Sequence, residues 1–481
     1  MNQFFGSNIL CFSWFVVDMK KKALVFLDFD MLIRHFILSG AFNELEEKYD
    51  VKYVFHTDDS SKKLGINFDL EKLGLKSWCR FQVSRYRMGM WDHLFCPTVL
   101  HNLRGTDYYV DRLELFKSMR PASLVRKHAF LSLPIIFGVF AFLYKRYMGV
   151  HKDLLSFVEE EKADIVIHPS ILTGYFINEL GPICKRLKIP YVCLMNSWDN
   201  PSQKSSATGP ADRLVVWGEQ TKRHAMEYMR VPEGRVLVFG AAQFQIYRKP
   251  VVENDCELRQ LFGVPAGLPI LLYGGTSKSV EETRHLKIID DAITRGDIPR
   301  CHVVYRPHPW RSGLMENEPD FFECGFENVT MDPHMEAYYR RISKEPDDSF
   351  DMAPYEPTRK LLELVSGVVS PLSTILLEAV LCKKPVQVLM TSENVDEEIR
   401  RVYEATARQR HFSEFSGPGV GRCTTTTKLV DACCQVLEDS KDDNVKKSLG
   451  ALGEYFVCQD GATYGERLLS LADELTSGKR A

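Results

Sequence analysis

The sequence lacks the spacing patterns of several large protein classes. Its 13 cysteines include no CxxC pair, and the adjacent Cys433 and Cys434 suit neither a zinc site nor an easy disulfide. We therefore predict reduced thiols in a cytoplasmic protein. A net charge of −3 gives no overall attraction to nucleic acid, so we expect no nucleic-acid partner. The chain also has no short-period repeat and no low-complexity tract.

The apolar run from Ala129 to Leu143 is too short to cross a bilayer as a helix. It has about fifteen residues where a span needs about twenty, and Pro134 interrupts it. Basic residues lie on both sides of the run. Two interpretations stay open: a core helix, or a helix in the interface of the plasma membrane's inner face, where its cations meet anionic lipid.

The first eighteen residues are largely apolar but lack a basic region, so they make a poor signal peptide. Met19 begins MKKKALVFLDFD, which looks like a natural start. We expect residues 1–18 to be a dispensable extension, and a short membrane anchor is the alternative.

The length of 481 residues predicts two domains. Short apolar strands such as ALVFLD and ADIVIH alternate with helices, and a second series of the same kind begins at Pro269. This alternation predicts an α/β fold with two Rossmann-like domains facing across a cleft. We expect the domains to span residues 19–246 and 247–455, with residues 456–481 as a terminal segment. The charged stretch from Tyr339 to Tyr355 is predicted to be a loop.

Three loops follow strands in the second half, where open parallel sheets bind ligands. The first loop, GGTSKS, supplies Gly274, Gly275, Thr276, Ser277 and Lys278. Its glycines can let the backbone approach a phosphate, but it lacks the spacing of a P-loop. Alternatively, it is an ordinary Gly-Gly turn.

The second loop, YRPHP, carries Arg306 and His308. Arg306 can fork onto a diphosphate, and His308 can donate a hydrogen bond to the same group or to a sugar. The alternative for Arg306 is a surface pair with a carboxylate.

The third loop opens an apolar helix predicted over Thr374 to Cys382. Ser373 or Thr374 can cap this helix, and its free N–H groups attract phosphate. Glu378 shares a face with Thr374 and can accept both hydroxyls of a ribose. Alternatively, the helix is a buried crossover whose Glu378 pairs with an Arg or Lys.

In the first half, polar residues follow strands at two places. Asp28 and Asp30 end the first strand, and this D-x-D pattern is weak support for a metal site. His35 lies on the next turn, and Asp199 belongs to NSWDN, which follows a later strand. We take Asp30, His35 and Asp199 as candidate catalytic residues, with Asp30 favoured as general base.

These motifs together resemble a known group of enzymes. NSWDN, LLYGGTSKS, VVYRPHP, SPLSTILLEAVLCKKPV and DGATYGER occur in an order similar to bacterial surface-carbohydrate and capsule enzymes with the GT-B glycosyltransferase fold. CDP-glycerol glycerophosphotransferases and non-hydrolysing UDP-GlcNAc 2-epimerases are wider relatives of that group. The resemblance covers roughly Ala163 to Leu471.

The resemblance implies a glycosyltransferase that needs neither metal nor other cofactor. Its second domain would bind a nucleotide-sugar donor, with Ser373 and Thr374 on the diphosphate and Glu378 on the ribose. Arg306 and His308 would hold the leaving group. A saccharide or lipid-linked acceptor would enter from the first domain, and the terminal segment would pack back across both domains. Glycerophosphate transfer, 2-epimerisation and a non-enzymatic scaffold at the membrane remain alternatives.

Overall fold

The computed structural model describes residues 20–58, 65–205, 207, 209, 211–277, 280–315, 317–346, 353–391 and 396–478. Within these residues, the chain forms one sheet of seven strands and one of six. The strand orders are β3-β2-β1-β4-β5-β6-β7 and β10-β9-β8-β11-β12-β13, and all neighbouring strands are parallel. The predicted α/β class with two Rossmann-like halves is confirmed.

The strands have the following bounds: β1 Lys22–Leu27, β2 Asp50–His56, β3 Trp78–Phe81, β4 Ile165–His168, β5 Tyr191–Leu194, β6 Arg213–Val216, β7 Val236–Val238, β8 Ile270–Gly274, β9 His302–Arg306, β10 Val329–Met331, β11 Gly367–Pro371, β12 Val386–Leu389 and β13 Val420–Cys423.

The helices have the following bounds: α1 Asp30–Leu32, α2 Asn43–Lys48, α3 Arg85–Leu103, α4 Tyr109–Met119, α5 Ala122–Leu131, α6 Pro134–Met148, α7 Lys152–Glu160, α8 Ile177–Leu187, α9 Glu219–Tyr228, α10 Asp255–Phe262, α11 Glu282–Arg295, α12 Pro333–Lys344, α13 Tyr355–Leu364, α14 Ile375–Leu381, α15 Glu397–Ala407, α16 Arg410–Ser413, α17 Leu429–Asp439, α18 Asp443–Phe456 and α19 Tyr464–Ser477. Short π-helical turns cover Ile33–Ile37 and Asn200–Lys204, and a 3-10 helix at Ala242–Arg248 lies between the two sheets in the chain.

Helices cover both faces of each sheet, and this explains the composition of the strands. In β1, Leu24 and Phe26 belong to one apolar cluster, whereas Val25 and Leu27 belong to another. A strand that is buried on both faces needs a continuous apolar run rather than an alternating one. The first of these clusters also includes Val368 of β11, so apolar packing is continuous from one domain to the other.

Helices α3 to α6 form an insertion between β3 and β4 that is built of helices alone. Helices α5 and α6 meet at an angle of 95° at the break before Pro134. Of the fifteen residues of α6, all of which are described, only Met148 is buried, so the core-helix interpretation of this run is wrong. Among the described residues, no single helix is long and apolar enough to span a membrane, although the bent pair α5–α6 satisfies that test jointly.

The loop predicted over residues 339–355 is wrong in its first part, where α12 continues to Lys344. Met335, Tyr338, Tyr339 and Ile342 repeat at helical spacing on the buried side of α12. Residues 347–352 of that prediction lie outside the described residues.

The end of the chain returns from the second domain to the first. The backbone N–H of Cys458 donates to the carbonyl of Trp217 at 2.9 Å. A Cβ at the neighbouring Gly218 would overlap the carbonyl of Phe456, so only glycine allows this crossing. Helix α19 then contributes Leu468 and Leu471 to the same apolar cluster as β1. The last helix therefore completes the core of the first domain.

Truncation of Leu468 should test this contribution. Leu468 is buried, and Leu468→Ala should lower the free energy of unfolding by about 2–5 kcal/mol because a cavity remains in the first-domain core. Leu261→Ala is the matched control, because Leu261 is 40% exposed and its truncation should cost much less. Urea unfolding measures both, and equal midpoints for the two variants would contradict the role of α19.

Candidate active site

A cleft of about 460 Å³ lies where the carboxyl ends of the strands of both sheets meet. Its first-domain wall comes from residues after β1, β4, β5, β6 and β7. Its second-domain wall comes from residues after β8, β9, β11 and β12 and from the start of α13. This volume lies within the range of about 300–1,000 Å³ that is typical of small-molecule sites.

Most of the predicted site residues line this cleft: His35, Asp199, Gly274, Gly275, Ser277, Arg306, His308, Ser373, Thr374 and Glu378. Of the described residues in that prediction, Asp30 and Thr276 do not line it. Lys278 lies outside the described residues.

Arg306 forms an ion pair with Asp332, and both side chains are buried. Burial opposes ionisation of Asp332, but Arg306 and the hydrogen bonds from His334 outweigh it and hold the carboxyl pKa below its usual range. The alternative for Arg306 was an ion pair with a carboxylate at the protein surface, but the observed ion pair is buried. It keeps a guanidinium at the cleft wall in a fixed orientation.

His308 is a neutral hydrogen-bond donor. Burial, together with nearby Arg34 and Lys204, lowers its pKa to about 3. Its Nδ1 accepts the backbone N–H of Trp310 at 3.0 Å, so the proton of the neutral ring lies on Nε2. Nε2–H can therefore donate to an oxygen of a bound ligand.

The predicted capping of the third-loop helix is wrong. Helix α14 begins at Ile375, and no side chain accepts a hydrogen bond from its first turn. Thr374 has helical backbone angles (φ −65°, ψ −23°), whereas a capping residue is usually extended so that its hydroxyl reaches the next turn. Ser373 and Thr374 nevertheless line the cleft at the start of this helix.

Glu378 lies one turn inside α14 and lines the cleft. Its carboxylate accepts a hydrogen bond from the hydroxyl of Tyr247, which lies between the two domains in the chain. This partner replaces the Arg or Lys expected in the crossover-helix interpretation. Burial raises the pKa of Glu378. The site therefore offers an acceptor whose position depends on the inter-domain segment.

The two glycines of the first loop line the cleft and also allow close packing of the neighbouring loops. A Cβ at Gly275 would lie 2.8 Å from the backbone nitrogen of His308, and one at Gly274 would lie 2.6 Å from Ile375. Thr276 donates its backbone N–H to Glu282 at 2.8 Å and its hydroxyl to Leu372 at 3.0 Å. The first loop thus fixes the positions of the other two loops, and the hydrogen bonds of Thr276 contribute to this.

His35 has the geometry of a proton acceptor. Burial first, and then the charge of Arg34, lower its pKa to about 3, so the ring is neutral. Its Nδ1 lies 3.0 Å from the carbonyl of Asn196 and must carry the proton, because a carbonyl only accepts. Nε2 is left with a lone pair on a side chain that lines the cleft.

Asp199 is held as a carboxylate by Lys204, with an oxygen–nitrogen distance of 2.6 Å. Burial alone would raise its pKa, but Lys204 and His411 lower it to about 2. A carboxylate this acidic is a weak base at neutral pH. The geometry therefore does not favour Asp199 as the proton acceptor.

Asp30 supports a loop outside the cleft. Its carboxylate accepts the backbone N–H groups of Asn67 and Phe68 at 3.0–3.1 Å and the side-chain amide of Asn67. Asp28 is likewise buried and is 2.7 Å from Nε2 of His168. Among the described residues, no group of three or more His, Cys, Asp or Glu could hold a metal ion. The D-x-D pattern thus has a structural use, and the choice of Asp30 as base finds no geometric support.

The cleft is also lined by residues that the sequence reasoning did not select, notably Arg34 and Tyr355. The Arg34 guanidinium lies 3.8 Å from the centre of the Tyr355 ring, and its Nε donates to the carbonyl of Ala353 at 2.7 Å. Arg34 thus joins the two walls. Its place one residue before His35 was the only signal, because the partner lies more than 300 residues away.

No family model matches the sequence, and no curated protein matches it either. Among solved structures, the fold is similar to that of Arabidopsis thaliana UGT89C1 complexed with UDP-L-rhamnose. That match has 12% identity and a TM-score of 0.50, and it covers 95% of this chain and 99% of the other. A UDP-N-acetylglucosamine 2-epimerase from Rickettsia bellii matches with 11% identity and a TM-score of 0.50, covering 95% of this chain and 98% of the other.

The buried histidines in the cleft wall and next to it should make the protein less stable in acid. The pKa values of His35, His308 and His411 are each about 3 in the folded protein, against about 6.5 in an unfolded chain. The unfolded chain binds more protons between these values, so stability is complete above pH 6.5 and falls as the pH decreases. The slope is up to about 1.4 kcal/mol per pH unit for each histidine.

Urea unfolding at pH 7, 6 and 5 measures this slope, in a range above that where most carboxylates titrate. His308→Gln should reduce the slope, whereas His93→Gln, at an exposed position of α3, should leave it unchanged. A wild-type slope in His308→Gln would show that His308 is not held neutral.

Two parallel Rossmann-like sheets, a ligand-sized cleft between their carboxyl ends and full-length similarity to these structures lead to one structural conclusion: the chain has the GT-B fold.

Proposed function

We propose that this protein is a glycosyltransferase that moves a sugar from a nucleotide-activated donor to a hydroxyl of a surface polysaccharide or glycolipid acceptor. The observation that carries the proposal is that a neutral histidine, His35, faces Arg306, His308 and the start of α14 across one cleft. A sugar transfer needs a proton acceptor on one side and groups that can bind a leaving diphosphate on the other, and this arrangement supports the proposal.

The second-domain wall suits the donor. Arg306 supplies positive charge, Nε2–H of His308 supplies a neutral donor, and the hydroxyls of Ser373 and Thr374 line the cleft at the start of α14. Together these groups can stabilise the charge that develops on a departing diphosphate. Glu378, one turn further along α14, is placed to accept from the ribose hydroxyls.

The first-domain wall suits the acceptor. As the acceptor oxygen forms a bond to the anomeric carbon of the sugar, the bond from that carbon to the diphosphate breaks, and Nε2 of His35 takes the acceptor's proton. A pKa of about 3 makes the free histidine a weak base. The negative charge of a bound diphosphate favours the imidazolium and so raises this pKa toward the value that proton transfer needs.

A donor screen tests the proposal. A panel of UDP-, GDP-, CMP- and CDP-linked sugars and CDP-glycerol should include a ligand that stabilises the protein by about 2.7 kcal/mol at a hundred times its Kd. Glu378→Gln should weaken binding of that ligand about 10- to 100-fold, because a hydrogen bond to a charged group contributes about 1.5–3 kcal/mol. Glu363→Gln, on the exposed side of α13, is the matched control.

Product analysis separates the possible reactions. Transfer of the sugar to an added acceptor supports the proposal, whereas an epimerised sugar released without acceptor indicates a 2-epimerase. Turnover of CDP-glycerol alone indicates a glycerophosphotransferase. Failure of every nucleotide in the panel to stabilise the protein would contradict the proposal.

Substitution of the three candidate bases tests the mechanism. His35→Gln should lower kcat about 10²- to 10⁴-fold and leave the Kd of the donor unchanged, because only proton transfer is removed. Asp30→Asn should instead lower stability, since its carboxylate supports residues 67–68, and should keep kcat per folded molecule. A larger loss of kcat in Asp30→Asn or Asp199→Asn than in His35→Gln would overturn the assignment.

A further inference from the structure

Helix α6 exposes an apolar face that nothing in the described chain covers. Ile135, Val139 and Phe142 are 85%, 57% and 67% exposed, and their spacing of four and three residues places them on one side of the helix. Phe130 at the end of α5 and Tyr147 at the end of α6 are also largely exposed. Exposed apolar side chains grouped in this way mark an interaction surface.

The helices that carry this apolar face also have an excess of positive charge. Between Glu114 and Asp153 the sequence has seven Lys and Arg residues and no Asp or Glu, in a chain whose net charge is −3. Four of these cations, all exposed, lie on the bent pair itself: Arg126, Lys127, Lys145 and Arg146. An apolar face bordered by cations matches the two layers of an anionic bilayer surface, acyl chains and negative headgroups.

We propose that the bent pair α5–α6 docks this protein on an anionic lipid bilayer. The apolar face of α6 would lie in the bilayer interface and would not cross the bilayer. The bend of 95° at Pro134 is incompatible with one straight span across the membrane, but it allows both helices to lie in the membrane plane. A second copy of the chain is a poor occupant of the face, because it would bring the four cations of its own α5 and α6 toward the same four of the first copy, and neither helix carries an Asp or Glu.

The insertion is hydrogen-bonded to the wall of the cleft, so docking also fixes where the cleft lies. Arg112 of α4 donates to the carbonyl of Gln203 at 2.8 Å, and the hydroxyl oxygen of Tyr108, just before α4, lies 2.9 Å from the carbonyl oxygen of Ser202. Gln203 itself lines the cleft. Docking would hold the cleft in a fixed relation to the membrane. The inference rests on the exposed surface and does not depend on the proposed transfer reaction.

Flotation of the full chain with phosphatidylcholine vesicles, with and without phosphatidylglycerol, tests the inference. Binding should require the anionic lipid and should weaken as salt is raised. Ile135→Glu/Phe142→Glu should abolish it. Arg126→Glu/Lys127→Glu should weaken it at least about 25-fold, because each cation near the surface contributes about fivefold, or about 1 kcal/mol.

Matched variants elsewhere on the surface serve as controls. Val252→Glu introduces a carboxylate at a position that is 89% exposed but distant in sequence, and Lys441→Glu/Lys447→Glu reverses two exposed cations of the second domain. Both should bind vesicles like the unaltered protein, and unchanged thermal unfolding establishes that every variant is folded.

Equal binding to neutral and anionic vesicles would overturn the proposal, as would a loss in the control variants equal to that in the α5–α6 variants. Sedimentation velocity addresses the other occupant of the face. A dimer that Ile135→Glu/Phe142→Glu dissociates, with vesicle binding unchanged, would show that the face is a protein interface and would also overturn the proposal.

Discussion

Every strand in both sheets is parallel to its neighbours, and the position of the cleft follows from this constraint. In a parallel sheet, all loops that follow strands leave at the same edge, so residues far apart in sequence meet there. His35 follows β1, Asp199 follows β5, Arg306 ends β9, and Glu378 lies on the helix after β11. Residues of one sheet therefore meet at one edge, and the packing of the two domains brings the two edges together around one cleft. The close contact of Gly275 with the YRPHP loop then fixes the spacing of the second-domain loops.

Burial decides the charge state of the groups that this arrangement collects. Two ion pairs lie at the cleft wall, Arg306 with Asp332 and Lys204 with Asp199, because an isolated buried carboxylate would be too costly. The histidines next to them are neutral for the same reason, since a further positive charge would have neither solvent nor a partner. Their backbone contacts then select the tautomer, which makes His308 a donor and His35 an acceptor.

The helical insertion differs from the two sheets in where its apolar side chains lie. The sheets bury their apolar side chains on both faces, whereas α6 packs one side against α3 and leaves Ile135, Val139 and Phe142 exposed on the other. The stability of the two Rossmann-like domains does not account for such a face. The same insertion contacts the cleft wall through Arg112 of α4, which donates a hydrogen bond to the carbonyl of Gln203.

The amino-acid sequence by itself determined the fold class and the loops of the site. Strands buried on both faces require continuous apolar runs, and these runs are visible in ALVFLD and ADIVIH without any structure. The loops after such strands are equally visible, which is why ten predicted residues line the cleft. The sequence could not choose between Asp30 and His35, because both follow the same strand and only the tertiary structure shows which one faces the cleft. It could not supply the Tyr247 partner of Glu378, the contact of Arg34 with Tyr355 or the exposure of α6, because each depends on residues brought together from distant parts of the chain. Local periodicity sets which segments are buried, but the partner of each polar group is decided only when the two domains pack.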